Sequence, residues 1–75
     1  MTDFEKVLVK ARVREENWII IHHLARMPQQ GETVKLMYED ENGHARICLS
    51  KYTKKFTPVD APGYSKKRLI AWKHL

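Results

Sequence analysis

The run SKYTKKF (50–56) interleaves Lys51, Lys54 and Lys55 with Tyr52 and Phe56. Lysines neutralise phosphates whatever the base sequence, and exposed rings stack on unpaired bases, so this mixture suits a single-stranded nucleic acid. Two other runs repeat the theme. Lys66, Lys67 and Arg68 lead up to Trp72 in KKRLIAWK (66–73), and Lys10, Arg12 and Arg14 alternate with apolar residues in FEKVLVKARVR (4–14).

Catalytic and metal chemistry find less to work with. A thiolate–imidazole pair would need Cys48 beside one of His22, His23, His44 or His74, and nothing in the spacing brings them together. A lone cysteine in a strand is usually a small hydrophobe. Adjacent His22 and His23 point to opposite faces of a strand, and no paired Cys or His spacing typical of zinc occurs. Phosphate-loop, nucleophile-elbow and H-E-x-x-H patterns are also missing. The expectation is a non-catalytic protein with no cofactor and no metal.

Charge is distributed unevenly. Of the 14 Lys and Arg in the 75-residue chain, seven lie in residues 51–75 against Asp60 alone, so the whole net charge of +5 resides there. Such asymmetry points to a polyanionic partner: DNA or RNA first, with single strands favoured, and an acidic protein surface second. On the second reading Trp18, Tyr52 and Trp72 are the anchors of a small inhibitor, adaptor or accessory subunit. No apolar run is long enough to span a bilayer, and MTDFEK lacks the apolar stretch of a signal peptide. One unpaired cysteine suits a reducing compartment, and a cytoplasmic protein with no membrane partner is expected. A chain this short forms one domain with a thin stability margin, which makes a homodimer one route to further burial.

The elements must then position these residues. Residues 4–14 alternate with period two, predicting a half-buried strand whose outer face carries Lys10, Arg12 and Arg14. WIIIHHLARM (18–27) favours a second strand because three isoleucines lose rotamer freedom in a helix. The alternative is a helix over 17–27 capped by Asn17. Asn42-Gly43 predicts a two-residue hairpin turn, setting Tyr38 opposite Ile47, Leu36 opposite Leu49 and Glu39 opposite Arg46. That register keeps Tyr52, Lys54 and Phe56 on the outer face, unless a bulge follows Ser50. TPVDAPG (57–63) should break regular structure. YSKKRLIAWKHL (64–75) reads as a short helix, or as a last strand, docked or mobile as a basic tail.

These elements predict a mainly β protein, a small antiparallel sheet or SH3/OB-like barrel with a central Asn-Gly hairpin and a short C-terminal helix. An α+β arrangement is the alternative. Over one hairpin, ENGHARICLSKYTKKF (41–56) resembles the basic strands of OB-type small barrels such as bacterial initiation-factor domains, with no motif that assigns a role to any residue.

Overall fold

The computed structural model describes residues 1–22 and 24–75, and shows a five-stranded antiparallel sheet with one helix. The prediction made for His23 lies outside the described residues. Helix α1 spans Asp3–Glu15, followed by β1 (Ile19–Ile20), β2 (Thr33–Glu39), β3 (Ala45–Tyr52), β4 (Phe56–Val59), a 3₁₀ turn (Lys66–Arg68) and β5 (Leu69–His74). The strand order is β1-β5-β2-β3-β4.

Residues 4–14 are helical, not extended. Thr2 caps the helix by accepting the Glu5 amide at 3.2 Å, Asp3 and Glu5 lie in the positive first turn, and Arg12 and Arg14 lie in the last. These terminal charges favour the helix dipole. Val9 and Val13, four residues apart, then meet the sheet on one face. The helix ends in a Schellman-type cap: Asn17 adopts φ 59° and the Trp18 amide bonds the Val13 carbonyl at 2.9 Å. Val13 and Trp18 pack in the same cluster, the apolar contact that accompanies this motif.

Among the described residues of the strand expected over 18–27, only Ile19 and Ile20 pair in the sheet, against Trp72 and Ala71. The alternative helix over 17–27 does not form among the described residues.

The central hairpin exists, but one residue out of the expected register. Tyr38 faces Arg46, Met37 faces Ile47 and Leu36 faces Cys48. Asp40 causes the shift: its carboxylate accepts the Asn42 and His44 amides, both at 2.9 Å, which widens the turn. Gly43 alone in that turn takes positive φ, at 81°. A type I turn with a following left-handed glycine is the three-residue solution, in place of the two-residue one. Because side chains alternate, this slip turns every β3 residue over. Cys48 joins Leu36 and Tyr38 in the core, whereas Ile47 and Leu49 face the opposite side.

The TPVDAPG segment is also partly regular, since Thr57, Pro58 and Val59 belong to β4. Pro58 is tolerated because β4 is an edge strand, where no neighbour requires its missing N–H.

Of the two readings of residues 64–75, the short helix does not form; a single 3₁₀ turn leads into a last strand, β5, docked between β1 and β2 rather than mobile. A bulge in β5 lets Met37 pair with Ala71 and Tyr38 with Leu69, leaving Ile70 as the extra residue. Leu69 and Trp72 thereby reach one core cluster, with Val34, Leu36, Tyr38, Cys48 and Phe56. Ile70 and Ala71 reach the other, with Val13, Trp18 and Met37. The first cluster draws Ile19 from one edge and Phe56 from the other, so the sheet wraps around it.

Candidate nucleic-acid interface

The β3–β4 turn and the segment before β5 enclose a cleft of about 370 Å³. Lys54 and Lys55 reach it from the turn, Lys66 from the 3₁₀ segment, and Tyr52, Phe56 and Tyr64 line its apolar wall. No Asp or Glu occurs among its described lining residues. Three lysines from two separate stretches thus line one cleft with three rings, and no carboxylate is among its described lining residues.

The rings do not stand outward as the sequence suggests. Tyr52 does share the face of Arg46, but the register shift makes that the core face. Phe56 pairs with Tyr52 across the turn and is only 8% exposed. Their rings meet edge to face, with centroids 5.0 Å apart. Phe56 therefore cannot stack on a ligand. Tyr52 keeps partial exposure at the cleft, where its packing on Phe56 fixes its plane.

Tyr64 was not among the residues predicted from sequence. It sits edge to face on Tyr38 with centroids 5.6 Å apart, and burial pushes its phenol pKa up, with a smaller push from Cys48. Tyr38 in turn donates its hydroxyl to the Pro62 carbonyl at 3.0 Å, tying the loop to β2. The interleaving of Tyr64 with Lys66 and Lys67 is the signal that could have found it.

Lys54 has an unusual backbone, with φ at 71°. Left-handed conformations are rare for residues other than glycine and cost about 1 kcal/mol or more. Its amide donates to the Gln30 side-chain oxygen at 3.1 Å, which helps hold the turn. On the opposite wall, Ser65 caps the 3₁₀ turn by accepting the Lys67 amide at 3.3 Å. Arg68 points away from the cleft and donates to the Asp40 carbonyl at 2.8 Å. Asp40 is itself buried, and its pKa is lowered to about 2 by the Arg46 guanidinium and then by the His44 and Asn42 amides.

The other predicted residues lie apart. Lys51 faces the opposite side of the sheet from Tyr52, and Lys67 is exposed beyond the cleft. Lys10, Arg12 and Arg14 are on α1, where Arg12 is paired with Glu16 at 2.9 Å. Neither tryptophan is available as an anchor, since both Trp18 and Trp72 are buried. Lys73 lies over the Trp18 ring, and the Trp72 indole donates to the Arg26 carbonyl at 2.8 Å. Cys48 is buried, and burial pushes its thiol pKa up. No helix among the described residues is long and apolar enough to cross a membrane.

Compared with protein-family models, curated proteins and solved structures, the chain matches none.

Proposed function

We propose that the protein binds single-stranded nucleic acid at this cleft, gripping phosphates with Lys54, Lys55 and Lys66 and setting a base against Tyr52 and Tyr64. The observation that carries the reading is the convergence of three lysines on an aromatic wall with no carboxylate among its described residues. Uncompensated ammonium groups raise the local concentration of polyanions. A half-exposed ring with a fixed plane offers stacking at little entropic cost, and tolerates any base. Lys67, exposed beyond the cleft, extends the positive field to a neighbouring phosphate.

The test is fluorescence anisotropy with labelled oligo-dT, oligo-rU and a duplex across a salt series. Three phosphate contacts on a single strand give a log–log slope of about −2, and five give about −3.5. Binding with such a slope, stronger for single strands and lost in a K54A/K55A/K66A variant, supports the reading. Affinity that ignores salt, or survives the triple substitution, overturns it. Comparison of oligo-dT with oligo-rU separates DNA from RNA.

A further inference from the structure

Helix α1 has a second apolar face that the fold leaves uncovered. Val9 and Val13 point into the sheet, while Phe4, Val7, Leu8 and Ala11 recur at i, i+3, i+4 and i+7 on the far side. Phe4, Val7 and Leu8 are 73%, 64% and 53% exposed. Spacing of this kind is how a helix presents a seam to another helix. At its Leu8 edge the seam opens into a groove of about 300 Å³ between α1 and β3, lined also by Val9, Met37, Ala45 and Ile47.

The charges along α1 select the occupant. The first turn carries Asp3 and Glu5 with Lys6, a net −1, and the last turn carries Arg12 and Arg14 with Glu15, a net +1. An antiparallel copy of the same helix sets acidic turn against basic turn at both ends and opposes the two helix dipoles. A parallel copy sets like against like. Asp3 and Arg14 have no ion-pair partner among the described residues, so both are available to the contact. Antiparallel pairing also carries Phe4 of the second copy towards Ala11 and Leu8, at the mouth of the groove.

We infer that the chain forms a twofold homodimer through antiparallel pairing of α1, with Phe4, Val7, Leu8 and Ala11 at its centre. The contact is isologous, as twofold symmetry requires. A 13-residue helix is about 20 Å long. Such a patch falls at the small end of specific interfaces, so micromolar dissociation is expected.

Sedimentation equilibrium of the full chain without nucleic acid, over a range of about 1 to 200 µM, covers that regime. The expected result is a reversible species of twice the 8.9 kDa chain mass. Val7→Glu should raise the dissociation constant at least tenfold, and Phe4→Ala should do the same by a smaller factor, each with an unchanged circular dichroism spectrum. Asp3→Arg and Arg14→Glu should each weaken the dimer several-fold, and the double charge exchange should restore it. A chain that stays monomeric throughout, or binds only some other protein through this face, overturns the inference. So does a dimer insensitive to Val7→Glu, or one that the charge exchange fails to restore.

Discussion

The cleft and the outer face of α1 both offer apolar side chains to solvent, and they do so by different means. At the cleft, Tyr52 and Tyr64 are half-buried and each is braced by a second ring, with Phe56 and Tyr38 behind them. On α1, Phe4 and Val7 are mostly exposed, and Leu8 lines the open groove beside β3. The cleft is part of the core's edge, so its shape is inseparable from folding. Val7, in neither core cluster, can be altered without touching the core. The lysines extend the contrast: Lys54, Lys55 and Lys66 meet no carboxylate at the cleft, whereas the charges of α1 are arranged as complementary ends.

The largest expected effect breaks the comparison at its base. Phe56→Ala should destabilise by about 3–5 kcal/mol, as for other buried aromatics, and abolish the cleft with the fold. Val7→Glu should change the stability of the monomer by no more than about 0.5 kcal/mol. Chemical denaturation of both variants measures the difference.

Acid should act through the brace behind the cleft. Arg46 and the turn amides hold Asp40 near a pKa of about 2, against about 3.9 for an ordinary aspartate. The folded state therefore binds this proton more weakly than the unfolded state. Its stabilisation is fully present above about pH 4 and is lost as pH falls through about 2. Asp40→Asn should lower the melting temperature at neutral pH and flatten the melting curve's pH dependence between about pH 4 and 2. An unchanged slope in that window would show that other carboxylates dominate it.

Tyr52→Leu sharpens the comparison by keeping bulk and removing the ring. Oligonucleotide affinity should fall by about 1–3 kcal/mol, while stability changes by less than about 1.5 kcal/mol. Equal losses in both would make Tyr52 purely structural.

The smallest effect separates strain from charge at one position. Lys54→Gly relieves a left-handed backbone, so stability should hold or rise by up to about 1 kcal/mol. The same change removes a phosphate contact and should make the salt slope shallower by about 0.7. A thermal melt and the anisotropy series read the two quantities on one protein.

Much of this architecture was legible where local chemistry and burial agree. The Asn42-Gly43 hairpin and the β-rich class follow from turn residues and alternation. The register did not, because it rests on where the Asp40 carboxylate spends its lone pairs, a detail that Asn-Gly alone does not encode. That single shift also reversed the orientation of Tyr52. Residues 4–14 satisfied period two through Val7, Val9, Ala11 and Val13, yet Thr2 and Glu5 form the T-x-x-E pattern of a capping box, which favours a helix. Lys54, Lys55 and Lys66 were each identifiable as basic. Their convergence was not, since it depends on Phe56 turning inward and on the 3₁₀ turn folding back towards β4.

The bulge at Ile70 gives β5 a role beyond filling a gap in the sheet. β2, β3 and β4 form a meander whose contacts close short loops, and these cost little chain entropy. β5 must enter between β1 and β2, pairing Trp72 with both Ile19 and Leu36. By placing Leu69 and Trp72 in one cluster and Ile70 and Ala71 in the other, the bulge makes both cores depend on the same long-range strand pairing. Neither cluster is complete without β5, so the helix-side and cleft-side packing share one strand, and disrupting it would open both.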